Sequence, residues 1–140
     1  MELTEITIRK DGKWYFGQAE MFRRNILNIL ARNIERQDDG NYCIKMGEEV
    51  NPITVEDVPF LATGYWEEED GKVKLVFHDL QEMALDNEFK LYLKGDVPYI
   101  SFRWEADTRL SRGVYWKLSE FFDFRGDEVY IIPPRPAKFD

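Results

Sequence analysis

The feature that most constrains how this chain can fold is an internal duplication. Residues 6–46 have a second version at residues 91–133. Ile6, Ile8, Asp11 and Trp14 fall on Leu91, Leu93, Asp96 and Tyr99 without a gap. After three extra residues in the second copy, Arg24 falls on Arg112, Leu30 on Leu118, Ile34 on Phe122, Asp39 on Asp127 and Tyr42 on Tyr130. Repeats at a fixed offset usually mark a repeated structural unit. Two copies are too few to stack as a solenoid, so the pattern predicts a pseudo-symmetric globular domain with a hairpin segment between its halves.

Each copy reads as strand, turn, strand, helix, strand. Ile6 and Ile8 alternate with Thr7 and Arg9, the period of a strand with one wet face. Asp11-Gly12 suits a tight turn and Trp14-Tyr15-Phe16 the return strand. Gly17 to Glu20 makes the crossing. Phe22, Ile26, Ile29, Leu30, Asn33 and Ile34 then recur at helical spacing, which predicts an amphipathic helix with that stripe inward and Arg23, Asn25, Asn28, Arg32 and Glu35 outward. Asp38-Asp39-Gly40 stops it, and residues 41–46 return as a strand. In the second copy Asp107 or Thr108 is placed to cap a helix with Leu110, Val114, Leu118, Phe121 and Phe122 inward. Gly113 inside that helix implies close backbone packing. Residues 129–132 form the last strand, ended by Pro133-Pro134-Arg135-Pro136, with the final residues lying loosely on the surface.

Between the copies, residues 53–86 are the connecting strands. Pro59 fixes one turn, Glu67 to Lys72 form a polar hairpin loop, Val73 to His78 form a clean strand, and residues 80–85 favour a further short strand. The expected fold class is therefore α+β: a mainly antiparallel sheet with two amphipathic helices, built from two related strand-turn-strand-helix-strand repeats joined by a β-hairpin segment, in one domain over residues 1–140.

Several function classes are disfavoured by composition. A net charge of -8 over 140 residues repels nucleic acid and anionic lipid, so neither is expected as a partner. Cys43 is the sole cysteine, which rules out an intramolecular disulfide. No apolar run reaches membrane-span length and residues 1–5 lack the features of a signal peptide, so a cytoplasmic protein is expected.

In order along the chain stand Asp11-Gly12-x-Trp14-Tyr15, Arg24, Asp39-Gly40-x-Tyr42, Val55-Glu56-Asp57-x-Pro59-Phe60, Pro98-Tyr99 with Arg103, and Arg112-x-Val114-Tyr115. In these motifs the sequence resembles the bacterial family called domain of unknown function 1285. The resemblance covers almost the whole chain and implies a compact α+β fold with two related halves in a bacterial cytoplasmic protein. It brings no established activity with it.

The catalytic inventory is thin. His78 is the sole histidine and stands beside Asp79, and Cys43 falls in a strand without a recognisable base. Both read as structural, and no catalytic residue is assigned. The run Glu67-Glu68-Glu69-Asp70 lacks the alternating spacing of a calcium loop, so it reads as a solvated hairpin tip; no metal site or cofactor is expected.

The arginines are more informative. Arg24 and Arg112 hold the same place in both copies, near a helix start where the dipole does not favour a cation. Either each pairs with a carboxylate of its own copy, such as Asp11 or Asp96, or hydrogen-bonds loop carbonyls, or the two converge with Arg103 on an anionic ligand. Among the aromatics, Trp104 and Trp116 do not both fit an inner stripe, and Trp116 lies opposite Val114 and Leu118, which makes the pair a candidate interaction surface. Two readings follow. The favoured one is a non-catalytic binding or regulatory module interacting with another protein or with itself. The alternative is a small-molecule or anion-binding domain, or an enzyme, using the arginine cluster and the Glu56-Asp57 turn.

Overall fold

The computed structural model of the chain describes residues 5–134. The expectations for Met1 to Thr4 and for the tail from Arg135 onward lie outside the described residues. The chain forms two compact units. Unit 1 takes residues 1–59 and 78–81, and unit 2 takes residues 60–77 and 82–140.

Unit 1 holds a six-stranded sheet with the order β3-β2-β1-β6-β5-β4. Its elements are β1 (Ile6–Ile8), β2 (Trp14–Phe16), β3 (Ala19–Glu20), α1 (Arg24–Arg32), β4 (Ile34–Arg36), β5 (Tyr42–Met46) and β6 (Glu49–Val55). The β1–β2 hairpin turns at Asp11-Gly12, where Gly12 takes φ 86° and the Asp11 carboxylate accepts the Lys13 N–H at 2.9 Å. This is the turn chemistry expected there. Neighbouring strands are antiparallel except β1 and β6, which are parallel. Pro52 is tolerated inside β6 because β1 reaches only Thr54 and Val55, so the missing N–H of Pro52 faces no strand on that side.

The first helix departs from expectation. It spans nine residues, and its buried positions are Leu27, Leu30 and Ala31. Phe22, Ile26 and Ile29, expected inward, are 76, 38 and 46% exposed. The reason lies in the composition of α1: apolar residues occupy two adjoining flanks, and spacing alone does not say which one meets the sheet. Ile34 and Glu35 are not helical either, because they pair with Ile44 and Cys43 as β4, so Asp38-Asp39-Gly40 closes a hairpin rather than ending a helix. The crossing at Gly17 to Glu20 also contains a short strand, since Tyr15 pairs with Glu20.

Unit 2 holds an eight-stranded sheet with the order β13-β14-β10-β11-β12-β7-β8-β9. The elements are β7 (Phe60–Glu67), β8 (Val73–Phe77), β9 (Glu82–Ala84), β10 (Phe89–Lys94), β11 (Val97–Ile100), β12 (Thr108–Leu110), α2 (Arg112–Leu118), a 3-10 turn over Ser119–Phe121, β13 (Phe122–Arg125) and β14 (Glu128–Ile131). Phe60, Phe77, Leu75, Ile100, Leu118 and Ile131 are its most deeply buried large side chains. The expected short strand within residues 80–85 is β9.

Here too the helix is shorter than expected. Thr108 to Leu110 do not begin it, because they are drawn into the sheet between β11 and β7, with Arg109 opposite both Tyr99 and Leu61. Ser111 is the cap: its Oγ accepts the Val114 N–H at 3.3 Å. At the other end Phe122 opens β13 instead of closing the helix. Gly113 is exposed and a Cβ there would meet open space, so the close packing expected at that glycine is absent.

The fold is thus α+β, mostly sheet with two helices. The strand orders β3-β2-β1-β5-β4 and β12-β11-β10-β14-β13 run in step, with one departure: in unit 1, β6 separates β1 from β5, whereas β10 and β14 are direct neighbours in unit 2.

Candidate functional site

Arg24 and Arg112 are each the first residue of their helix, and both side chains are exposed. Among the described residues neither forms a hydrogen bond or ion pair. Asp11, the expected partner of Arg24, is used by its own turn. Of the alternatives open for these arginines, a side-chain tie within the same copy is not formed among the described residues. Exposed guanidiniums gain little from a tie that would freeze a long side chain.

Arg112 instead lines a cleft of about 280 Å³ with Arg109, Asp96, Pro98 and Tyr115, all of unit 2. Arg103 is half-buried and its guanidinium lies over two aromatic rings, 5.3 Å from the Phe60 centroid and 5.7 Å from that of Trp104. These are cation–π distances. Arg109 was invisible as a site residue because its stretch reads as a helix start. As β12 it alternates with the buried Thr108 and Leu110, which sets it on the opposite face.

The turn behind Arg103 is organised by Asp107, which is 1% exposed. One carboxylate oxygen accepts the Phe102 N–H at 2.7 Å, and the other accepts the N–H groups of Arg103 and Trp104 at 2.9 Å each. The Thr108 hydroxyl donates to it at 3.0 Å. Trp104 stacks on Phe60, with centroids 6.1 Å apart and planes 9° apart. It is half-buried, while Trp116 on α2 is 76% exposed.

Two surface concavities are lined in part by exposed apolar residues. In unit 1 a cleft of about 410 Å³ is lined by Glu20, Met21, Phe22, Arg23 and Ile26. In unit 2 a groove of about 830 Å³ surrounds Trp66, itself 60% exposed, with Glu67, Glu68, Glu69, Asp70 and Glu82 on its walls. Lys74 ties Glu82 and Glu68 at 3.0 and 3.7 Å.

Cys43 is buried, and burial together with the charge of Glu35 raises its thiol pKa, the reverse of what a nucleophile needs. His78 is half-buried, and burial first, then the charge of Arg24, lowers its pKa from 6.5. The folded chain therefore takes up this proton less readily than the unfolded chain. The contribution of His78 to stability is complete above 6.5 and is lost as pH falls through 6.5 toward the folded value. His78→Gln is expected to flatten the acid side of the stability profile, measured by urea melts between about pH 5 and 8. An unchanged slope would show that His78 does not set it. Among the described residues no group of three or more His, Cys, Asp or Glu is placed to hold a metal ion, and no helix is long and apolar enough to cross a membrane.

The class the fold defines is an α+β protein of two sheet units, each carrying one short helix. Its fold is that of DUF1285 family proteins. A crystal structure of such a protein from Silicibacter pomeroyi DSS-3 matches with a TM-score of 0.70 at 15% identity over 87% of this chain and 71% of that one. Another, from Shewanella baltica OS155, matches with a TM-score of 0.69 at 17% identity over 88% of this chain and 96% of that one. The fold agrees with the resemblance carried by the sequence motifs. No family model and no curated protein matches the chain.

Proposed function

We propose that this chain is a non-catalytic binding module that assembles with a second copy of itself, the apolar flank of α1 docking into the acidic groove around Trp66 of the other copy. The observation that carries it is the exposure of Ile26 and Ile29 on α1 and of Phe22 just before it. Exposed apolar residues at helical spacing with a concave neighbour mark docking faces. Arg23 and Arg24 are exposed beside these residues, and the Trp66 groove offers five carboxylates. Opposite charge around two apolar centres supports the pairing and rejects like-charged alternatives.

The same reading makes the chain a bacterial cytoplasmic protein. It takes the two units as products of one duplication, with β6 inserted into the first, within one domain. Trp116 offers a further contact on unit 2.

Sedimentation velocity over a range of concentrations and salt tests the assembly. Association in the micromolar range that weakens with salt is expected, as for contacts at or below about 1,200 Å². Trp66→Ala is expected to weaken it by about 30-fold, the loss of a central tryptophan. Arg23→Glu with Arg24→Glu abolishes self-association, and mixing that variant with Glu67→Lys, Glu68→Lys restores it. A chain that stays monomeric at every concentration, or variants that leave association unchanged, overturns the reading.

A further inference from the structure

We propose that the cleft of Arg109, Arg112 and Tyr115 binds a small phosphate-type anion, either free phosphate or the phosphoryl group of a small molecule. The two arginines are held independently. Arg109 sits in β12 with a strand on each side, opposite Tyr99 of β11 and Leu61 of β7. Arg112 is placed by the chain turn at Ser111, whose N–H donates to the Ala62 carbonyl at 2.9 Å and whose Oγ caps the helix. The Tyr115 ring packs against Phe122 with centroids 5.7 Å apart, which fixes the third member.

Two guanidiniums supply planar, paired donors and the phenol a single O–H, the pattern that recognises phosphate and carboxylate oxygens. The site rests on side chains and owes nothing to a helix dipole, since α2 has only seven residues. The Arg112 side chain has no hydrogen bond or ion pair among the described residues, so a ligand displaces nothing to reach it. Asp96 also lines the cleft and leaves a net charge of one positive unit, which suits a ligand that carries an acid proton or hydroxyl for Asp96 to accept. The volume of about 280 Å³ admits phosphate with a short substituent, and falls at the small end of ligand pockets. Arg103 and Arg24, the other two arginines singled out in the sequence, do not line this cleft.

The test is calorimetric titration with inorganic phosphate, sulfate and glycerol phosphate at matched ionic strength, with thermal melts alongside. Saturable binding to the native chain is expected. Arg112→Met should weaken it by roughly tenfold or more, the loss of charge-assisted hydrogen bonds. Arg112→Lys should keep the melting temperature and lose most of the binding, and Asp96→Asn should tighten inorganic phosphate. Arg36→Met, exposed on β4 and outside this cleft, should bind as the native chain does. Glycerol phosphate binding well above inorganic phosphate identifies a phosphoryl-bearing small molecule as the source, and equal binding identifies the free anion. Absence of saturable binding by the native chain, or binding unchanged in Arg112→Met, overturns the proposal. Because Arg112 is exposed, its variants fold even if Arg109→Met does not.

Discussion

Asp107→Ala is expected to lower stability by about 3–5 kcal/mol, since it strips the partners from three backbone N–H groups and a buried hydroxyl at once. Each of those donors loses a bond of 2.7 to 3.0 Å to this carboxylate. The turn it organises also seats Arg103 and Trp104 against Phe60, so loss of near-ultraviolet circular dichroism should accompany the drop. Asp107→Asn keeps the size and one acceptor but turns an amide N–H₂ toward other donors, and should fall between the two. Urea melts of the three proteins check this. An alanine variant within about 1 kcal/mol of the native chain would show that the turn is held by its packing alone.

The second large effect belongs to Trp14, 1% exposed in unit 1. Trp14→Ala is expected to cost about 3–5 kcal/mol through lost transfer energy and the cavity left behind. The chain passes between the units at 59/60, 77/78 and 81/82, and we expect them to unfold together as the single domain inferred from the sequence. Calorimetry of Trp14→Ala should then show one transition at lowered temperature. A split into two transitions, one at the native position, would show units that fold independently.

How much of this was legible beforehand differs from element to element. The hairpin at Asp11-Gly12, the Glu67 to Lys72 loop and strand β8 follow from turn chemistry and period-2 alternation, both local properties. The alignment of Arg24 with Arg112 set both near a helix start, and each is the first residue of its helix. The exact helix bounds were not legible, because Ile34 and Thr108 were won by strand partners, and a ladder outweighs a weak local preference. Among the site residues, Arg112 and the exposure of Trp116 were legible from position and helical phase. Arg109, Trp66 and the outward flank of α1 were not. Each depends on which face the sheet covers.

The sequence by itself determined an α+β chain of two similar stretches, its turns, most of its strands and the presence of its two helices, since these rest on spacing and on conformational preference within a few residues. Tertiary structure alone decided that Leu27, Leu30 and Ala31 go inward while Phe22 and Ile29 remain in solvent, that β6 enters the first sheet and not the second, and that Arg112 meets Arg109 in one cleft. Those choices are made by whichever apolar flank and strand edge meet across long loops. Their free energies come from contacts between segments that no local spacing encodes.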